Sequence, residues 1–495
     1  MVMRKGCTYL TAIALLALWA TTSRAQQAGA QVGQTLLTAA FPPPQLGTGQ
    51  TPGSVPDSSQ EPVSPPVGTM SPLSGAQVLT PGFTGEAHSF VLPVLGCTEY
   101  ANTNPTGYKQ TSSLLSETTC TAALTLQRLG KHSQLNLDDA GGGMFFSSSL
   151  QPGTATSTNR YKVFDELGIS EQVSGNRWNW LVGDQGAYLP ETPEGFAGLG
   201  GGLANYIGGA GGVSTFSNAP SLNSAYQPNQ ALYTGLSTRF SDLATTEFEY
   251  SLSGKSVLTT TALVGTLQYI TPGFIDDTYW MLMTGYNYSF GRGDEIALMY
   301  EENHFLFTGG NPGFVNRGLS ALYGHRINGR LSIELSAAPM VNVIPEPHGR
   351  TLTAFFMSTY DSLEYVTGKS IASFSVSRVM AGDAGVATGA ERNMVQASYG
   401  RRLTQRLHGS VRSSFANTKS IAQQTAGGSL EANYLEAGLN LERDFGRHVS
   451  LYLNYNVQRQ VSNRSICVGA DCATAFLRQV GGIGFNWHVR RVNVE

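Results

Sequence analysis

The connections between the strand-like segments of this chain are sorted by length, and this sorting limits the fold more than any other feature. From about residue 85 onward, short and long connections alternate along the chain. The short ones are LGKHS (129-133), SGNR (174-177), FSDL (240-243), FGRGD (290-294), INGR (327-330), LTQRL (403-407) and DFGRH (444-448). The long ones, rich in Gly, Asn, Thr or Ala, are 97-118, 141-158, 190-229, 259-276, 308-314, 344-349, 381-392, 418-430 and 462-475. A transmembrane barrel has tight turns on its periplasmic side and long loops outside, whereas a soluble sandwich has no reason to sort its connections. The sequence therefore predicts an all-β, transmembrane, antiparallel up-and-down β-barrel.

The segments between these connections have two different faces. In HVSLYLNYNVQRQ (448-460), Leu451 and Leu453 alternate with Ser450 and Asn454. This period of two is typical of a β-strand. The same alternation, with charged residues on the polar face, recurs near 247-252, 331-336, 407-415 and 435-442. Charges on the second face favour a wet interior, with the apolar face directed toward lipid.

Counting these segments predicts about 18 strands (16-18), and an even number places both chain ends on the periplasmic side. The segments lie near 86-96, 119-128, 132-140, 160-173, 177-189, 230-240, 244-257, 277-290, 294-307, 315-326, 330-343, 350-360, 370-380, 393-403, 407-417, 431-444, 448-461 and 476-490. The turn DSLEYVTGK, between two of the later segments, is long for a periplasmic turn.

The N-terminal residues indicate export. Arg4 and Lys5 precede an apolar run that continues to Ala20, and a Ser-Arg-Ala sequence ends at Ala25. This is the pattern of a Sec-type signal peptide, so we expect residues 1-25 to be cleaved after Ala25. Residues 26-82 are rich in Pro, Gly, Gln and Ser, and they predict a disordered periplasmic arm because they hold too little apolar material to offset ordering entropy. Docking of this arm into peptidoglycan or into the lumen is the alternative. The barrel is then expected over residues 83-495, in the bacterial outer membrane.

Removal of the signal peptide leaves four cysteines, Cys97, Cys120, Cys467 and Cys472. Export places them where disulfides form and persist. Cys97 is expected where the first strand leaves the membrane and Cys120 where the second strand enters it, while the other two share the last external loop. We therefore predict a disulfide that closes each loop, with crossed pairings between the first and last loops as the alternative. Metal binding is less favoured, because no histidine lies near either pair.

The polar faces supply the candidate lining of a pore. The residues assigned to the lumen are Arg239, Glu247, Glu249, Glu334, Arg402, His408, Arg412, Glu436, Glu442, Arg478, His488 and Arg490. They carry both signs of charge, so the sequence predicts no strong ion preference. The glycine-rich stretch from Leu199 to Gly212 is expected to be a mobile external loop, and the alternative is that it folds inward and narrows the pore.

The sequence carries no motif of an enzyme, a metal site or a cofactor site. It lacks G-x-S-x-G and H-E-x-x-H, and LGGGLANYIGGAGG lacks the Lys-Ser/Thr ending of a phosphate-binding loop. His408, Ser410, Glu436 and His488 could assemble a catalytic site from distant positions, but polar pore lining is the simpler interpretation. The formal net charge of -3 gives no electrostatic reason to expect a nucleic-acid partner.

Several patches of the chain resemble bacterial outer-membrane β-barrel proteins, specifically the large uncharacterised barrels of Acidobacteria. The patches are TEYANTNP (98-105), NWLVGDQGAYLPETPEGFAG (179-198), SVSRVMAGDAGVATGAERNMVQASYGRRLTQRL (375-407) and the closing pair of strands. They are spread over most of residues 85-490. The resemblance implies an outer-membrane barrel inserted by the barrel assembly machinery.

The function predicted is therefore that of a porin-like passive channel for small solutes or of a structural surface protein, without catalytic activity. The expected partner is outer-membrane lipid, and the sequence does not indicate an oligomeric state. The alternatives are a secreted or surface-attached glycan-binding β-sandwich or solenoid and, third, a barrel enzyme.

Overall fold

A 19-stranded antiparallel sheet forms the fold. The computed structural model describes residues 89–104, 114–147, 160–190, 238–270, 273–290, 294–309, 311–328, 330–345, 351–367, 369–381, 388–421, 430–446, 448–463, 474–488 and 492–493. Within these residues, no helix has the length and apolar character needed to cross a membrane. The predicted signal peptide, the predicted arm and the stretch 199-212 lie outside them and remain predictions.

All strands except the last are long. They are β1 (Phe90–Asn102), β2 (Leu115–Leu129), β3 (Ser133–Phe146), β4 (Tyr161–Ser174), β5 (Trp178–Pro190), β6 (Thr238–Ser253), β7 (Ser256–Tyr269), β8 (Asp277–Ser289), β9 (Asp294–Phe307), β10 (Phe314–Asn328), β11 (Leu331–Pro345), β12 (Thr351–Val366), β13 (Ser370–Ala381), β14 (Ala390–Thr404), β15 (Leu407–Ser420), β16 (Glu431–Phe445), β17 (Val449–Ser462), β18 (Ala475–His488) and β19 (Val492–Asn493). The short turns join each even-numbered strand to the next odd-numbered one at one end of the sheet, which we call the short-turn end. The opposite end is the long-loop end.

The sheet closes on itself. Each strand from β1 to β17 pairs with the next one in the chain, and β1 also pairs with β18 from Val94↔His488 to Asn102↔Val480. The two-residue β19 continues this seam along the start of β1. Because every long strand has a partner on both sides, the predicted closed antiparallel barrel is confirmed, and it has no free edge. The predicted strand count is slightly low, because β19 follows β18 in the wall.

One short turn and one long loop lie elsewhere than predicted. The segment FSDL (240-243) is part of β6, and the true turn is at Gly254 and Lys255, where the Ser253 and Ser256 side chains are hydrogen-bonded at 2.7 Å. Most of the predicted loop 259-276 is therefore strand β7. Its run of threonines resembles a polar loop in composition, but threonine is β-branched and fits a pleated sheet well.

Other predicted boundaries also move. Strand β12 continues through DSLEYV, so the connection to β13 is a tight turn and not the long one expected from DSLEYVTGK. Strands β1, β2 and β3 extend into residues predicted as the loops 97-118 and 141-158. In the turn between β16 and β17, Gly446 has a φ of 82°, a conformation that side chains with a Cβ rarely adopt.

The two faces of the wall differ in exposure. In β17, Leu451 and Leu453 are exposed, whereas Ser450 and Gln458 are buried. Side chains diverge on the convex side of a barrel and converge on the concave side, so the exposed apolar face is the outer face and the buried face is the inner one. The predicted alternation of outward-facing and inward-facing side chains in β17 is therefore confirmed.

The outer face of β3 to β6 carries aspartates within this apolar surface. The strand register places Asp139 beside Leu167, Asp184 beside Ile169 and Asp242 beside Gly186. Leu167 and Ile169 are among the exposed hydrophobic residues of the outer face. This part of the outer wall is therefore less apolar than the alternation elsewhere predicts.

Candidate functional site: the inner face of the barrel

The inner face gathers the predicted pore-lining residues. Arg239, Glu247, Glu249, Glu436 and Arg478 are buried there, and Glu334, Arg402, His408, Arg412 and Glu442 are partly buried on the same face. The predicted alternation thus places all of the described candidates on one side of the wall. The side chain of His488, and Arg490 as a whole, lie outside the described part of the chain.

One polar row crosses four neighbouring strands on this face. The register places Ser414 of β15, Glu436 of β16, Gln458 of β17 and Arg478 of β18 side by side. The last three are at most 1% exposed. Buried charged groups need charged or hydrogen-bonding partners, so the charges in this row must be paired with other side chains of the inner face.

Glu436 is surrounded by such partners. The guanidinium of Arg412 lies 3.6 Å from Glu436 Oε1. Asn456 Nδ2 donates a hydrogen bond to the same oxygen at 2.9 Å, and Tyr434 Oη donates to Oε2 at 3.2 Å. The charge of this carboxylate is therefore balanced within the wall.

Arg478 connects the row to the seam. Its Nη1 donates to Gln458 Oε1 at 3.2 Å, and its Nε donates to Asn102 Oδ1 at 3.2 Å. Asn102 belongs to β1, on the other side of the seam where the barrel closes. The first and last long strands are therefore joined by a buried, charge-assisted side-chain hydrogen bond as well as by backbone pairing.

A second group of charged residues on the inner face is acidic. This acidic stretch consists of Glu247 and Glu249 on β6, Glu295 and Glu301 on β9, Glu334 on β11 and Glu364 on β12. Glu295, Glu301 and Glu364 were not among the predicted residues. Their signal in the sequence is weak, because the neighbouring positions on both faces of β9 are polar or charged, as in the run YEENH.

A large part of the inner face is apolar, which the sequence did not predict. A buried cluster on β7 to β13 includes Met281, Met340, Phe305 and Phe314. The rings of Phe305 and Phe314 stack with their centroids 4.4 Å apart. These residues lie toward the long-loop end, so the inner wall of β7 to β13 is apolar there and acidic nearer the short turns.

The disulfide Cys97–Cys120 is present, as predicted by the local pairing. Its position differs from the prediction, because both cysteines lie inside strands and face each other directly across β1 and β2. They are on the outer face, since the neighbouring inner positions Thr98 and Thr119 are buried. The bridge therefore fastens two strands of the wall instead of closing an external loop. Cys467 and Cys472 lie outside the described residues.

The residues considered for a catalytic site are separated on the inner face. His408 pairs in register with Glu442, whereas Glu436 pairs with Ser414. His408 Nε2 lies 3.8 Å from Asp444 Oδ2, and Glu436 is bound to Arg412. Across the described part of the chain, no group of three or more His, Cys, Asp or Glu side chains is arranged to hold a metal ion.

Comparison with known proteins gives distant structural similarity alone. No family model matches the chain, and no curated protein matches it. Pseudomonas aeruginosa OpdK with vanillate is similar at 11% identity and a TM-score of 0.40, over 81% of this chain and 99% of that one. Acinetobacter baumannii OccAB3 is similar at 11% identity and a TM-score of 0.41, over 82% of this chain and 100% of that one. Similarity this distant leaves the function to be inferred from the barrel itself, and the acidobacterial resemblance remains a prediction.

Proposed function

We propose that this protein is an outer-membrane β-barrel that acts as a porin-like passive channel for small solutes. The single observation that carries the proposal is the solvent exposure of charged side chains on the inner face of a closed barrel. The side chains of His408, Asp444 and Arg412 are 25%, 24% and 35% exposed. Water therefore reaches the inner wall near the short-turn end.

The size of the barrel supports a water-filled lumen. Barrels of roughly 16–18 strands enclose a space that side chains alone do not fill, and in porins this space is an aqueous channel. The present sheet has 19 strands. Its inner wall carries charged residues at many positions, which is typical of a path for polar solutes.

The outer face supports placement in a membrane. Exposed aromatic side chains occur toward both ends of the outer wall, with Trp178, Phe248 and Tyr250 near the short turns and Phe145, Tyr161 and Phe240 near the long loops. Aromatic girdles of this kind flank the apolar band of outer-membrane barrels. With the expected signal peptide, this pattern favours export, insertion by the barrel assembly machinery and contact with outer-membrane lipid.

A structural barrel without passage is the second candidate. It is favoured by the burial of the inner face toward the long-loop end, where Arg478 and Asn102 are 0% exposed. Purified, refolded protein in planar lipid bilayers separates the two functions. We expect stepwise conductance that requires the folded barrel. Protein that is correctly folded but electrically silent would contradict the channel and support the structural role.

A further inference from the structure

We propose that the channel prefers cations, because Glu247, Glu295, Glu334 and Glu364 on the inner wall of β6 to β12 outnumber the arginines that face inward on the described part of the same wall. This inference rests on the proposed channel function and specifies its solutes as small inorganic cations and small amines. The opposite sign of selectivity would be expected if the inward-facing arginines dominated the lumen.

The register brings three members of the acidic stretch together. Glu295 of β9 and Glu334 of β11 both pair with Gly324 of β10, so no side chain separates the two carboxylates. Glu334 pairs with Ser362 of β12, and Glu364 lies two residues farther along the same face of that strand. Both Glu364 and Glu295 act electrostatically on Glu334. Three carboxylates thus face the lumen across four strands.

Two carboxylates of this wall, Glu247 and Glu334, each have one oxygen without a hydrogen-bond partner in the described part of the chain. Glu247 is 3% exposed, and its Oε2 accepts a hydrogen bond from Thr261 Oγ1 at 3.3 Å. Its Oε1 and the Oε1 of Glu334 are buried and accept no hydrogen bond within the described part of the chain. A buried carboxylate without a partner is costly, and a cation in the lumen would offset that cost.

The neighbouring cations are few on this wall. Among the described side chains that face inward on β6 to β12, the arginines are Arg239, at the long-loop end of β6, and Arg326, which acts electrostatically on Glu295. The opposite wall differs, because its Glu436 is held by Arg412 and lies in the same row as Arg478. Within the described residues, the inward-facing carboxylates of β6 to β12 therefore outnumber the inward-facing arginines of the same wall.

Fixed charges of one sign in a lumen of low dielectric attract mobile ions of the opposite sign and exclude ions of the same sign. The effect is screened by salt, since the Debye length falls from about 10 Å at 0.1 M to about 3 Å at 1 M. Selectivity carried by the acidic stretch must therefore weaken as the salt concentration rises.

The test is the reversal potential of the full-length refolded protein in planar bilayers under a KCl gradient. We expect a K⁺ to Cl⁻ permeability ratio above one in dilute salt, and a ratio nearer one in concentrated salt. The double variant Glu334→Gln/Glu364→Gln should shift the ratio toward one, while stepwise conductance persists. Asp361→Asn is the matched control: it removes a carboxylate from the outer face of β12, where Asp361 pairs with Leu335, and it should leave the ratio unchanged.

The outcomes separate the two proposals. Stepwise conductance with a ratio of one or below, or a ratio that the double variant does not change, overturns the cation preference and leaves the channel standing. Absence of conductance from folded wild-type protein overturns the channel and the preference together. If the double variant does not fold, the single variant Glu364→Gln and the salt dependence of the wild type decide the question.

Discussion

A charge placed on the outer face of β17 tests the assignment of faces directly. Leu453 is 49% exposed, and its register partners on the two neighbouring strands are Leu441 and Ile483, so it lies in an apolar row. Arginine at the midplane of a lipid-facing wall costs about 2–4 kcal/mol in free energy of unfolding. We therefore expect Leu453→Arg to lower the stability of the barrel by that amount.

Asn454 supplies the matched control on the inner face. It pairs with Asn440 and Gly482, and it is partly exposed on the inner face, where the missing Cβ of Gly482 lets the Asn454 amide and the Tyr100 ring lie over that position. An arginine at this position can extend into the lumen, so Asn454→Arg should change the stability by less than about 1 kcal/mol. Denaturant titration of both variants in lipid vesicles measures the difference. Equal losses from the two variants would show that the faces are assigned wrongly or that the outer face does not contact lipid.

Three further changes test other parts of the wall. Cys97→Ser should lower the free energy of unfolding by about 3 kcal/mol, because the disulfide joins cysteines 23 residues apart, and free thiols in mass mapping of the wild type would contradict the bridge. Asp139→Leu should raise the stability in vesicles by about 1 kcal/mol, since it removes a carboxylate that lies between Leu124 and Leu167 on the outer face; a loss of stability would show that a polar partner covers that face. Arg478→Met should lower the stability by about 2 kcal/mol, because Asn102 and Gln458 each lose a buried donor, and an unchanged unfolding midpoint would refute this role for the seam.

The period-two pattern was sufficient to predict the barrel and the inner face where the two faces differ in polarity. In β16, Glu436 and Glu442 alternate with leucines, and both glutamates face inward as predicted. Where both faces are apolar, the pattern carries no such information. In β8, Met281 and Met283 face inward while Trp280 and Leu282 face outward, and hydrophobicity alone does not distinguish them.

The errors in strand boundaries have a related cause. The threonines of β7 and the glycines of β3 lack the alternation that marks the other strands, and cross-strand pairing decides their conformation instead. Because β1 and β2 are longer than predicted, Cys97 and Cys120 lie within strands, and the disulfide is part of the wall and not of a loop. The charge balance of the inner face could not be predicted from the sequence either. The pairing of Glu436 with Arg412 and the grouping of Glu295 with Glu334 depend on the register between strands.

The central claim is that this closed sheet spans the outer membrane. It is tested most directly by fractionation of cells that express the full chain, followed by electrophoresis of the membrane fraction with and without boiling. An intact barrel resists detergent unless it is boiled, so we expect the protein in the outer-membrane fraction, with faster migration in the unboiled sample. Recovery in the soluble fraction, with the same migration before and after boiling, would contradict the membrane barrel.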